Sequence, residues 1–579
     1  MTEARELRDG EPQRSSRAVL ARRLPRAPPR FVERWSAATG VGTVNTKITE
    51  PAGAGPTPPA RARAVSPWAA LAVLCSSLLI INLDTTVLNV ALPTLVRDLH
   101  ATSSQLQWIV DAYALVFGGL LLTAGSLADR LGRKRTFLVG LCAFAGGSAW
   151  AAFSGSVGLL IAARASMGVG AAFLMPSTLA IITDVFRDPV ERQKAIGLWA
   201  GASGVGFALG PIVGGLLLAH FWWGSVFLIN VPIALAAALL AWRLVPDSRN
   251  PAALRPDLAG ALLSVAGIGL VLWAVIEAPV DGWTSGLVIG PGAGGLALLA
   301  GFAGWERTSS HPMLNLEFFR APSFSVAVSS VGLVIFGLVG SLFVLTQLLQ
   351  FDLGYSALQA GVRMLPIAAI LAVLSPLSAV LNRLVGTKIT TAAGMLCASA
   401  GLFMISHATV AWGYTTMLPG MVTIAAGAAL VMPSVSASVM GSVPRSHTGV
   451  GSATNGTFIQ LGGAIGVAVI GSVLSTRYQA RMTPVIAPYH LSAPIAATIR
   501  GSIGGALSVA GHLGGTIGAH LASAARSAFI SGNDLALLPA AAVVLVGCLL
   551  AAAALPARAR PLEPRQRAGS GPGPATAGD

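Results

Sequence analysis

Asp84, Asp111 and Arg164 are ionisable side chains set in stretches that are otherwise almost wholly apolar. A charge in hydrocarbon is costly, and those that persist face a bundle interior or a water-filled cavity and mark function there. Asp84 lies in Leu83-Asp84-Thr85-Thr86-Val87-Leu88-Asn89. Desolvation penalises its charged form, so it could exchange protons near neutral pH or hold a cationic substrate. The alternative is a structural hydrogen-bonding role beside Thr85 and Thr86. Asp111, in Trp108-Ile-Val-Asp111-Ala-Tyr113, stands near the outer end of its stretch. There it would line an outer vestibule or be a solvated helix-end carboxylate. Arg164 keeps its proton at all relevant pH values. It would act as a fixed charge that tunes a nearby carboxylate or orders water, or as a structural group bonded to backbone carbonyls.

Asn89, Tyr113, Gln347, Gln350 and Asn455 are further candidates to line a cavity. Enzyme chemistry lacks its parts: the sequence holds no GxSxG elbow, HExxH pair, GxxxxGK[ST] loop or strand-linked GxGxxG. No metal site or cofactor is expected. Cys75, Cys142, Cys397 and Cys548 fall in apolar stretches with no CxxC pair, which implies neither a disulfide framework nor zinc. Without an ATP site, any pumping must draw on an ion gradient.

The elements that position these groups follow from composition. With 54% hydrophobic and 11% charged residues, too little of the 579-residue chain can face water for a soluble protein. From Trp68 to about residue 556, apolar stretches of about 20 residues, the length a helix needs to cross a bilayer, recur between short polar breaks. We count fourteen. With the N-terminus in the cytoplasm, the loop cations Arg130, Arg133, Lys134, Arg187, Arg192, Arg249, Arg255, Arg383, Lys388 and Arg445 fall on the cytoplasmic side, and both termini are inside. This use of cations accounts for the net charge of +15 without nucleic acid. Residues 1–66 and 558–579 carry no hydrophobic periodicity and read as disordered tails, the first basic enough to attract anionic headgroups.

The chain also repeats. Gly170-Ala-Ala-Phe-Leu-Met-Pro-Ser177 recurs as Gly427-Ala-Ala-Leu-Val-Met-Pro-Ser434, and Gly210 and Gly214 match Gly462 and Gly466 in the spans that follow. The repeated spans are eight apart. Two six-helix halves, 67–245 and 307–557, are therefore expected around two linker helices in 246–306, with a long outer loop at about 476–534. Parallel repeats of this kind place a substrate cavity between the halves, near the midplane.

Three motifs then point to a family. Gly125-Ser-Leu-Ala-Asp129-Arg130-Leu-Gly132-Arg133-Lys-Arg joins the second and third spans. Gly206-Phe-Ala-Leu-Gly210-Pro211-Ile-Val-Gly214-Gly215 puts glycines on one face of the fifth span, where another helix can approach closely, and Pro211 can kink it. Leu83-Asp84-Thr85-Thr86-Val87-Leu88-Asn89-Val90-Ala91-Leu92-Pro93 lies in the first. Together they resemble the major facilitator superfamily, and within it the fourteen-helix drug:proton antiporters, over residues 68–556. Gly224 and Ile459 depart from that pattern, each standing where arginine is common. The resemblance implies an all-α membrane protein of the major facilitator fold. It implies that Asp129, Arg130 and Arg133, with Gly125 and Gly132, form a conformational latch, and that Gly206, Gly210, Pro211, Gly214 and Gly215 form the antiporter motif. The function it implies is export of small amphipathic drugs or antibiotics in exchange for protons, by a monomer in the bacterial cytoplasmic membrane. The other readings are an uptake symporter or facilitator, or a non-transporting receptor or assembly subunit on the same scaffold.

Overall fold

A computed structural model describes residues 66–249, 256–442 and 448–556. The two tails, Arg255 and Arg445 lie outside those residues. The described chain is helical. Helices α1 (Pro67–Leu99), α2 (Ser103–Leu131), α3 (Arg133–Ala152), α4 (Val157–Val185), α5 (Pro189–His220) and α6 (Ser225–Leu244) come first. Then follow α7 (Leu258–Asp281) and α8 (Gly286–Thr308). After them come α9 (Pro322–Asp352), α10 (Ala357–Val385), α11 (Thr387–Ile405), α12 (Tyr414–Ser442) and α13 (Thr448–Ile486). Two short helices, α14 (Ala493–Gly501) and α15 (Ile503–Leu513), lead into α16 (Gly515–Ala554).

Among the described residues, thirteen helices are long and apolar enough to cross a membrane. The expected third span is the helix α3, but Arg133, Lys134 and Arg135 at its start leave it short of that hydropathy. Local chemistry sets the boundaries. Thr102 and Ser356 begin α2 and α10 with reciprocal capping boxes to Gln105 and Gln359, and Asp188 and Asp257 cap α5 and α7. The turns after α2 and α10 each pivot on a glycine at positive φ, Gly132 (112°) and Gly386 (90°), a conformation that costs a side-chain-bearing residue.

The sequence repeat reappears as repeated packing. Gly140 and Gly170 bring α3 and α4 backbone to backbone, and Gly394 and Gly427 do the same for α11 and α12. Gly210 and Gly214 seat α5 on Thr86 and Val87 of α1, while Gly462 and Gly466 seat α13 on Gly332 and Phe336 of α9. Between bilayer helices there is little hydrophobic drive, so close approach over small residues supplies the cohesion. Helix α7 lies across the seam between α2 and α13, with Leu272 and Ile276 packed among Leu115, Ala464 and Ala468.

The outer loop expected over 476–534 is instead mostly helix. Helix α13 continues to Ile486 and α16 begins at Gly515, with α14 and α15 between them. Tyr478, Met482, Ile499, Ile503, Leu521 and Phe529 are buried in this region. A helix outside the hydrocarbon needs only one apolar face, so reading apolar runs cut these helices at Arg477 and Asp534.

Candidate functional site

Asp84 and Arg164 meet in the interior of the first helices. Each is 1% exposed, and Arg164 Nη1 lies 2.5 Å from Asp84 Oδ2. The second carboxylate oxygen accepts from Asn230 Nδ2 at 3.0 Å, and that amide also approaches Ser148 Oγ at 3.4 Å. Arg164 Nε donates to the Ile109 carbonyl at 3.1 Å, and the guanidinium stands 4.4 Å over the Tyr113 ring. One ion pair therefore ties together α1, α2, α4 and α6, with α3 touching through Ser148. Protonating Asp84 would leave a buried guanidinium without its counter-charge, so a proton here acts on the packing of the whole group.

Two residues further along α1 the helix turns a different face to a small cavity. Thr86 and Asn89 line it from α1, Phe207 and Pro211 from α5, Leu342 from α9, and Met364, Ile367 and Ala368 from α10. At one end α5 and α10 close on each other. A Cβ on Gly215 would lie 2.6 Å from the Leu358 Cα, and Gly361 sits directly on the Pro211 carbonyl. At the other end of α5, Gly197, Gly201 and Gly204 have no neighbouring atom within reach of a Cβ. The remaining motif glycines face α1: Gly206 stands on the Leu79 carbonyl, Gly210 on Thr86 and Gly214 on Val87. Gly361 is a participant that sequence reasoning missed; a lone glycine in the first turn of a span was its only signal.

Asp111 is neither solvated nor on a vestibule. It is fully buried, and both carboxylate oxygens lack a hydrogen-bond partner. It stands one turn from Gln107, which accepts from Ser472 Oγ at 3.1 Å and packs on Gly471. Gly118, on the same face, meets Gln460. Asp111 thus belongs to the face of α2 that packs on α13. Other cavity candidates also stand elsewhere. Tyr113 is buried beneath Arg164, Gln347 bonds within its own helix to the Phe343 carbonyl, and Asn455 bonds to Ser436 of α12 at 3.3 Å. Gln350 crosses from α9 to the Val90 carbonyl at 2.9 Å. Of the five candidates, only Asn89 lines the cavity.

The charged turn after α2 forms a three-membered cluster. Arg133 Nε bonds Asp129 at 2.7 Å, its Nη1 pairs with Asp184, and the same nitrogen reaches the Ala180 carbonyl at 3.3 Å. The ends of α2, α3 and α4 are clamped through one guanidinium. Asp184 was not foreseen, because at the end of an apolar run it looks like an ordinary loop charge. Arg130 is exposed and has no ion-pair partner among the described residues, while a Cβ on Gly125 would meet Pro176 at an ordinary 3.5 Å. No group of three His, Cys, Asp or Glu among the described residues could hold a metal ion.

A many-helix membrane bundle with a buried ion pair beside a central cavity is the build of a transporter. The sequence matches the Major Facilitator Superfamily over residues 74–467. It is 37% identical over 494 residues to the multidrug efflux pump LfrA of Mycolicibacterium smegmatis, covering 84% of this chain and 95% of that protein. It is 33% identical over 531 residues to the tetracenomycin C resistance and export protein of Streptomyces glaucescens, covering 90% and 96%. Among solved structures, an inward-facing, unoccupied bacterial homologue of the human lysosomal transporter Spinster shares the fold. Its TM-score is 0.56 at 17% identity, over 84% of this chain and 97% of that one. The chain belongs to the major facilitator superfamily, and within it to the drug:proton antiporter family of multidrug and antibiotic efflux permeases. It is an efflux transporter.

Proposed function

We propose that this transporter exports small amphipathic organic molecules, antibiotics among them, from the bacterial cytoplasm in exchange for protons. Asp84 is the proton-coupling residue and Arg164 its fixed counter-charge. The observation that carries the reading is the position of the Asp84–Arg164 pair. It lies on α1 beside the residues that line the cavity, so a proton event and a substrate event act on one helix. Residues 67–245 and 307–557 rock about the cavity as two halves, with the helices of 246–306 as the linker. The cluster of Asp129, Arg133 and Asp184 marks the cytoplasmic end, on the side of both termini. The contacts of Gly215 with Leu358 and of Gly361 with the Pro211 carbonyl join α5 to α10 at what we take as the outer end, which supports an inward-facing conformation. The protein works as a monomer, needing no cofactor beyond the proton gradient.

The test is accumulation and toxicity, over a panel of neutral and cationic antibiotics and dyes, in an efflux-deficient bacterial host expressing wild type or Asp84→Asn at matched membrane levels. Wild type should lower the accumulation of some compounds, a protonophore should abolish the effect, and the variant should not export. A panel that fails to separate wild type from variant would overturn the reading.

A further inference from the structure

Away from the Asp84 pair, two further carboxylates are buried together between α7 and α8. Asp257, which caps α7, is 9% exposed, and Glu306, in the last turn of α8, is 4% exposed. Asp257 is held from two sides. Its Oδ1 accepts the Gly260 N–H at 2.8 Å, and its two oxygens accept from the Trp305 indole at 3.0 and 2.9 Å. Glu306 Oε2 accepts the Leu314 N–H at 3.1 Å, while Oε1 is buried without a partner. That orphan oxygen is turned toward Asp257. A Cβ on Gly260 would stand 2.8 Å from Glu306 Oε1 and 2.8 Å from Asp257 Oδ2, so the glycine leaves open the space over which the two oxygens face each other.

No cation answers this pair. Among the described residues neither carboxylate takes part in an ion pair. The packed elements bring only neutral groups: Leu122 and Thr123 from α2, Phe302 from α8, Val450 and Ala453 from α13. In the segment after α8, His311 bonds the Ser310 hydroxyl, and Arg307 is exposed. Two oxygens fall short of the six or so that a hard metal ion takes. A proton suits them better. Carried on Glu306 Oε1 and donated to Asp257 Oδ2, it gives the orphan oxygen a bond and removes the repulsion of two like charges.

What Glu306 holds lies on a seam. Beside the Leu314 amide, Met313 packs with Leu122 of α2 and Ala261 of α7, against Val450 and Ala453 of α13. The Thr123 hydroxyl stands 3.5 Å from Met313 Sδ. The segment between α8 and α9 thus straps α2 to α13, which belong to the two halves proposed above.

We propose that Asp257 and Glu306 form a second proton-binding site, which holds one proton between them and fastens Met313 on the seam of α2 and α13. The export reading enters only by placing this end in the cytoplasm, where the site would answer cytoplasmic pH. When the proton leaves, Glu306 is driven from Asp257 and the Leu314 amide goes with it.

Infrared difference spectra of the full-length transporter, between about pH 6 and about pH 9, test the proton itself. Wild type should lose a protonated-carboxyl band at the higher pH, and Glu306→Gln should lack that component. The glutamine keeps an acceptor for Leu314 and brings an N–H for Asp257, so it imitates the protonated pair. Cross-linking tests the strap. With the four native cysteines changed to alanine, Thr123→Cys and Met313→Cys are bridged by dibromobimane, which fluoresces fully once two thiols are joined. The yield should fall about fivefold over the same pH range with Glu306 and stay level with Glu306→Gln. Thiol reactivity rises with pH, so the fall runs against the reagent. A spectral change that Glu306→Gln leaves intact overturns the shared proton. A cross-link with the same pH response in both proteins overturns the fastening. Neither readout needs a substrate, so a failure here leaves export standing, and a failure of export leaves both readouts in force.

Discussion

Replacing Asp84 by asparagine should destabilise the bundle through the arginine it abandons. The variant keeps the shape of the side chain and removes one charge. Arg164 would then be a guanidinium at 1% exposure, left with the Ile109 carbonyl at 3.1 Å and the Tyr113 ring at 4.4 Å. Breaking a buried pair from one side typically costs about 3–5 kcal/mol, because the remaining charge is uncompensated. The Ile109 carbonyl and the Tyr113 ring are partners in wild type as well and return nothing, so the expected loss is about 3–5 kcal/mol. Removing both charges together, in Asp84→Asn with Arg164→Gln, takes away the unpaired guanidinium and should recover most of the loss. Arg164→Gln alone should cost less than Asp84→Asn, since an orphaned carboxylate can neutralise itself by taking up a proton and arginine cannot. The assay is thermal unfolding in detergent with a thiol-reactive fluorophore, on a background with Cys75, Cys142 and Cys397 changed to serine, which removes the exposed and half-buried cysteines and leaves buried Cys548 to report opening. Transport should be absent from all three variants. The reasoning is refuted if Asp84→Asn melts with the parent, or if the double variant melts no higher than Asp84→Asn.

Three more expectations follow from the same geometry. Gly210→Val would drive a side chain into Thr86 and toward the Leu83 carbonyl, and should abolish export, whereas Gly204→Val meets nothing and should export normally; equal export by both would remove the α1–α5 seam from the mechanism. Asp111→Leu removes two buried oxygens that have no partner, and should raise stability by about 1–3 kcal/mol while lowering proton-driven export. A melting temperature at or below that of wild type would show that the carboxylate is satisfied after all. Asp184→Asn cuts one arm of the Arg133 clamp at a side chain 37% exposed, so stability should change by no more than about 1 kcal/mol while the export rate falls. An unchanged rate in vesicles would make the clamp purely structural.

What could be read from the chain and what could not divide along one physical line. Asp129 and Arg133 are one helical turn apart across Gly132, so their encounter is implied by local geometry alone. The glycines of α5 likewise share a face by their spacing, which fixes that some helix must approach there. The partner helix is another matter. In an Ala/Gly-rich bundle nearly every helix has several small faces, and no local signal tells which of them will be filled. Asp184 lies 51 residues from Arg133, and Asn230 lies 146 residues from Asp84. Each was invisible for the same reason: polar side chains at distant positions meet only after packing has chosen neighbours. Tyr113 shows the cost of guessing from type, since an aromatic beside a cavity and an aromatic beneath an arginine look alike in sequence.

The division also explains why the overall fold was more legible than the substrate site. Spanning a bilayer constrains every helix by length and apolarity, and the duplicated Gly-Ala-Ala motif carries the internal symmetry, so the architecture is written many times over. The chemistry of the cavity depends on single orientations that no repeat encodes. Asn89, for example, gives one N–H to the Thr85 carbonyl one turn back and leaves its oxygen without a partner, an arrangement chosen by packing and not by any motif.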